Sequence, residues 1–147
     1  GDVQRMTAGM GVRHSEYNAS QTEPVHFLQL WILPAKQHLT PSYEQKHFSL
    51  DDKRGVLRLI ASLTGEAGSV TVHQDVRIYA TVLARGEAVQ QSFAAGRHAW
   101  VQVARGSALL NGTRLDTGDG AALAEAATIS LVGAGDGDAE LLLFDLA

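Results

Sequence analysis

Short apolar runs, each followed by turn residues and recurring about every ten positions, constrain this chain more than any other feature. Val25 to Leu33 (VHFLQLWIL) is rich in β-formers and stops at Pro34. Ser42 to Phe48, Val56 to Ile60, Val70 to Val72, Ile78 to Leu83 and Trp100 to Val103 are further candidate strands. The clearest signal is Ala108 to Leu110, then Asn111-Gly112, then Thr113 to Leu115. Asn-Gly supplies the two positive-φ residues that a type I′ hairpin turn demands. Ala127 to Val132 and Leu141 to Phe144 complete the series, with 133–138 as the loop between them. Helical periodicity is scarce. Ser49 to Lys53 reads as one capped turn with Ser49 or Asp51 as the cap, and Ala84 to Val89 fits either state. The expected class is all-β with about ten short strands. The pattern by itself leaves a sandwich, a jelly roll and a barrel open.

Composition narrows the chemistry. A chain of 147 residues suits one domain and is long enough to bury a core without a metal or disulfide. It has no cysteine, which excludes disulfides, thiol nucleophiles and thiolate metal sites and fits a cytoplasmic location. Sixteen acidic against twelve basic residues give a net charge of −4 and no electrostatic reason to expect direct nucleic-acid binding. No run of 18 apolar residues is present, so no membrane-spanning helix is expected.

Val12-Arg13-His14-Ser15-Glu16 is the sharpest chemical feature. On a strand, His14 and Glu16 point to one side, and an imidazole beside a carboxylate suits Fe(II), Mn(II) or Ni(II). Two donors are fewer than a mononuclear oxygenase site needs, and taken alone the motif reads more readily as a surface or hydrogen-bonded pair. His26 falls near His14 if their strands pair. His38, His47, His73 and His98 form no His-x-His or His-x3-His pair and read as edge or surface residues. There is no Gly-x-Ser-x-Gly elbow. Gly9-Met10-Gly11 is too short for a phosphate loop and reads as a tight turn or a close backbone approach. Phe27, Trp31, Tyr79 and Trp100 lie in apolar runs and read as core.

The opening GDVQRMTAGMGVRHSEYN resembles the pirin family through Gly1, Asp2, Gln4, Met6, Thr7, Ala8, Gly9, Gly11, His14, Ser15, Glu16 and Tyr17. The likeness runs on through Leu28 to Ile32, Pro41-Ser42-Tyr43, Val72 to Asp75 and the ending Leu142 to Leu146. The resemblance implies a bicupin, two jelly-roll β-barrels in one chain. It also implies one iron(II) held by three histidines and a glutamate in the N-terminal cupin. His14 and Glu16 match the last two of those ligands, with Glu16 also a candidate base. The first two, from a His-Pro-His-type motif, have no counterpart here. The chain is therefore expected to hold the terminal strands of a truncated N-terminal cupin (1–34), a connector (35–69) and a complete C-terminal cupin (70–147). The C-terminal cupin shows no ligand set of its own. By resemblance the activity is quercetin 2,3-dioxygenase, a ring-opening of flavonols by O2, with an incomplete metal site here. The alternatives are a non-catalytic regulatory or protein-binding module and an inactive homodimeric remnant. Homodimerisation is expected to cover the exposed strand edges.

Overall fold

The computed structural model describes residues 1–124 and 127–147. Among them are twelve strands, one 3-10 turn (Glu66–Gly68) and no α-helix. None of the helical structure is long and apolar enough to cross a membrane. In chain order the strands are β1 (Asp2–Thr7), β2 (Ser42–His47), β3 (Arg58–Ser62), β4 (Val70–Thr71), β5 (Val76–Leu83) and β6 (Ala88–Ser92). They continue with β7 (His98–Arg105), β8 (Ser107–Leu110), β9 (Thr113–Asp116), β10 (Gly120–Leu123), β11 (Thr128–Gly133) and β12 (Ala139–Leu146).

Ten of these strands form two facing sheets, β10-β7-β12-β5-β3-β4 and β6-β11-β8-β9. The parallel β3–β4 pair apart, the ladders are antiparallel. Alternation sets what lies between the sheets. Leu141 and Leu143 of β12, Val101 and Val103 of β7 and Leu83 of β5 meet Val89, Ala108, Leu110, Ile129 and Leu131 from the opposite sheet, all buried. This is the interior of a jelly roll, and it is apolar. The expected Asn111-Gly112 hairpin joins β8 to β9, with φ of 49° and 86° at its two central residues.

The large sheet carries a second core on its outer face. Val76, Ile78 and Ala80 of β5 and the alternate β12 residues Leu142, Phe144 and Leu146 pack with Ile60, Val70, Val72, Phe48, Val3 and Ile32. Val3 belongs to the two-stranded sheet of β1 and β2. Charged side chains fasten that small sheet on. Glu44 Oε2 accepts the Thr71 backbone N–H at 2.9 Å, Lys46 Nζ donates to Ser69 O at 2.7 Å, and Arg58 lies 5.1 Å over the Phe48 ring.

Two expectations need correction, and one open choice is resolved. Residues 8–41 contain no strand, so neither Val25 to Leu33 nor the His14–Glu16 stretch forms one. A strand exists only with a neighbour to share its hydrogen bonds, and among the described residues no backbone runs alongside this segment. Ala84 to Val89 resolves into a turn at Gly86 leading to β6. Strands β6 and β10, built around Gln90-Gln91 and Ala121-Ala122, lie in stretches too weakly apolar to register as strands from sequence. The Ser49 cap is present: its Oγ accepts the Asp52 N–H at 3.2 Å while Asp52 Oδ2 accepts the Ser49 N–H at 2.7 Å.

Candidate functional site

The segment that carries His14 and Glu16 leaves β1 through a turn that requires glycine. Gly9 has φ +56°, and a Cβ there would meet the Leu39 carbonyl and Pro41, whose Cδ would be only 2.9 Å away. The Gly11 N–H closes the turn on Ala8 O at 2.8 Å. Beyond it the backbone joins no ladder, and the two side chains come near each other. His14 Nε2 lies 3.9 Å from Glu16 Oε1, and both side chains are partly open to solvent. That separation is too long for a hydrogen bond. Two N and O donors each about 2.1 Å from one ion can stand at most roughly 4.2 Å apart. At that distance from one ion, neighbouring octahedral or tetrahedral donors stand roughly 3.0–3.4 Å apart, so the pair at 3.9 Å lies near, but not at, the spacing of two ligands of one ion.

No third donor joins it. Among the described residues there is no group of three or more His, Asp or Glu side chains arranged to hold a metal. Two of the other histidines are engaged elsewhere. His26 Nδ1 accepts from Arg105 Nε at 3.1 Å, which ties residue 26 to the end of β7. His47 Nδ1 meets Asp2 Oδ1 at 2.7 Å across the β1–β2 ladder, and this contact with His47 holds the Asp2 carboxyl below its ordinary value. The jelly-roll interior offers aliphatic side chains together with Tyr79 and Thr81. Burial pushes the Tyr79 phenol up and keeps it protonated.

Two further features escaped sequence reading. Arg97 is a half-buried hub: its Nε donates to Asp145 Oδ1, its Nη2 to Asp145 O at 3.1 Å, and its Nη1 to both Asp75 oxygens at 3.1 Å. Its guanidinium is held above its ordinary pKa chiefly by the bond to Asp145. The readable signal was Asp145 itself, a carboxylate at an inward position of an otherwise aliphatic alternation. The second feature is a groove of about 410 Å³ on the outer face of the large sheet. It lies between Leu30, Trp31 and Ile32 on one side and Val76, Trp100, Phe144 and Leu146 on the other. Phe27 and Trp31, expected in the core, are exposed, and Trp100 is partly so.

Comparison with known proteins places these features. Residues 59–146 match the family profile described as quercetinase C-terminal cupin domain, and residues 1–32 match the profile described as pirin. The sequence is 42% identical over 146 residues to a quercetin 2,3-dioxygenase of Escherichia coli strain K12, an alignment spanning 99% of this chain and 61% of that one. It is 34% identical over 148 residues to a pirin-like protein of Caulobacter vibrioides, spanning 100% and 62%. The fold superposes on the crystal structure of E. coli YhhW with a TM-score of 0.89 at 41% identity, covering 100% of this chain and 61% of that one. A nickel(II) complex of the bacterial pirin YhhW matches with a TM-score of 0.87 at 41% identity, covering 99% and 61%. This chain thus spans about three-fifths of the length of these relatives.

Proposed function

This chain belongs to the pirin family of cupin proteins, and on that premise we propose that it serves a metal-dependent dioxygenase of the quercetin 2,3-dioxygenase type. In this reading His14 and Glu16 ligate a divalent ion, iron(II) in the cell. The observation that carries it is the 3.9 Å approach of the His14 and Glu16 side chains within the stretch that matches the pirin profile. A divalent ion bound there would act as a Lewis acid toward a flavonol's oxygen atoms. Glu16 would supply the carboxylate that takes the flavonol hydroxyl proton. Among the described residues no third donor joins the pair, and in this reading two further donors come from outside one copy of this sequence. In the same reading the protein works in the cytoplasm.

A second reading rests on a different observation. Val25, Phe27, Leu28, Leu30, Trp31 and Leu33 are all exposed, a strip of apolar side chains on one segment. Monomeric proteins seldom leave such a strip bare. It favours association, by homodimerisation or with a protein partner, and a non-catalytic regulatory role needs nothing more. In a homodimer, two donors from each copy would make a His2Glu2 set.

Metal content after expression with added iron, manganese or nickel tests both readings. About one metal per two chains, lost alike in His14→Ala and Glu16→Ala, supports the dioxygenase reading and makes flavonol turnover the next assay. A metal-free protein that still self-associates would sink the shared site and leave the binding module.

A further inference from the structure

The β8–β11 ladder runs one position past the end of β8. Its last regular pair sets Leu110 opposite Leu131, so the next position sets Asn111 opposite Ser130. The Asn111 N–H donates to Ser130 O at 3.0 Å, as a strand residue would. In return the Ser130 N–H donates to Asn111 Oδ1 at 2.9 Å, where a regular antiparallel pair would use the main-chain carbonyl. The side-chain amide stands in because the backbone has already turned away, with φ +49° at Asn111. Asn111 therefore closes the ladder and opens the hairpin turn at once. Gly112 follows it, exposed, at φ +86° and with open space where a Cβ would go. Glycine places no side chain beside its own nitrogen. That leaves the Gly112 nitrogen the least hindered kind of main-chain nitrogen next to an asparagine amide.

We propose that Asn111-Gly112 is a site of self-modification gated by the β8–β9 hairpin: the closed hairpin preserves the Asn111 amide, and the opened hairpin lets it convert to isoaspartate. In the reaction the Gly112 nitrogen bonds to Asn111 Cγ, the Cγ–Nδ2 bond breaks, and ammonia leaves with the Gly112 proton. Water then opens the cyclic imide. Attack at Cγ gives aspartate; attack at the former main-chain carbonyl gives isoaspartate, with the main chain now routed through Cβ. Two features of the closed hairpin oppose the first step. The left-handed backbone at Asn111 sets the Gly112 nitrogen on the side of the carbonyl carbon away from Cβ. The bond from Ser130 holds Oδ1, and Cγ with it, toward β11. Both must be released before the ring can close, so the step belongs to chains whose β8–β9 end has opened locally. Aspartate keeps an acceptor for the Ser130 N–H. Isoaspartate adds a methylene between β8 and β9, and the tight turn that sets their register cannot re-form. The product thus marks a chain that has opened and keeps its hairpin from closing as before. Nothing in this chemistry involves His14, Glu16 or a metal.

Peptide mapping by mass spectrometry, with aspartate and isoaspartate peptides separated, tests the gate on the full 147-residue chain. The chain is incubated at mildly alkaline pH, folded in buffer and unfolded in urea. In urea Asn111 is expected to be lost, with isoaspartate among the products. In the folded chain the loss is expected to be about tenfold slower or more, the factor that opening against one or two net hydrogen bonds commands. Gly112→Ala is expected to suppress the reaction in urea, which assigns the attacking nitrogen. Leu115→Ala removes the apolar anchor of β9 on the core. It is expected to speed the loss severalfold in the folded chain and to leave the rate in urea unchanged. Equal rates folded and unfolded would overturn the gate, and so would an Asn111 that stays intact in urea. A folded Leu115→Ala chain that reacts no faster than wild type would overturn it too, because the reaction would then not run through hairpin opening.

Discussion

Arg97 grips Asp145 twice, through Nε to the carboxylate and through Nη2 to the main-chain carbonyl at 3.1 Å. The Asp145 side chain is 6% exposed. A carboxylate so enclosed is tolerable only while its partner is present.

Arg97→Ala should therefore lower the unfolding free energy by about 3 kcal/mol or more, since it strands a buried charge. Arg97→Met combined with Asp145→Leu should cost clearly less than Arg97→Ala alone, because no unpaired charge remains. Urea unfolding followed by tryptophan fluorescence decides between them. A double variant worse than the single one would show that the hub contributes through shape and not through charge.

Glu44 gives a dependence on pH. The Thr71 N–H, then Lys46 and Arg5, hold its carboxyl below the ordinary value of 4.5. A carboxyl depressed in the folded state stabilises fully above its unfolded pKa, and that contribution fades as pH falls through the folded value. Glu44→Gln should be less stable than wild type near neutrality. The gap should close as pH drops below 4.5. Chemical denaturation from pH 7 down to pH 3 would reveal this, and a gap independent of pH would exclude an ionic role.

Two glycines should respond unequally to alanine. Gly112 sits at φ +86° with open space where a Cβ would go, so Gly112→Ala should cost only backbone strain, about 1 kcal/mol. Gly120 lies beneath the Trp100 indole, which an added Cβ would strike. Gly120→Ala should cost about 2 kcal/mol and shift the Trp100 emission as the ring is displaced. Equal costs would mean that the indole moves aside freely.

The exposed strip on residues 25–33 should drive self-association. Sedimentation velocity is expected to show a species larger than a monomer at micromolar concentration, and Phe27→Ser with Trp31→Ser should return it to the monomer. A wild-type monomer at every concentration would remove the homodimer from consideration.

How much of this was legible in the sequence follows from where each residue finds its partners. The Asn111-Gly112 hairpin and strands β5, β7, β11 and β12 could be read because their alternation and turn chemistry are local. His14 and Glu16 do lie 3.9 Å apart, although the strand on which their shared face was expected does not form. The failure lay at Val25 to Leu33. Its β-propensity is strong, yet propensity describes fit to a sheet and cannot supply the neighbouring strand. The Arg97 hub spans residues 75, 97 and 145, a separation that no periodicity encodes. The inward Asp145 signalled that a cation was needed without saying which one.

The strand order of the large sheet has a consequence for how the protein comes to be assembled. Strands β5 and β7 do not touch as neighbours; β12 lies between them and bonds to both. Val76–Leu83 and His98–Arg105 must therefore wait for residues 139–146 before either ladder can close. Contacts so distant in sequence carry a large loop-closure entropy and slow the search, to milliseconds or seconds for folds of this kind. Until β12 arrives, two long apolar strands stand with open edges, and that interval is when the chain is most exposed to pairing with the wrong neighbour.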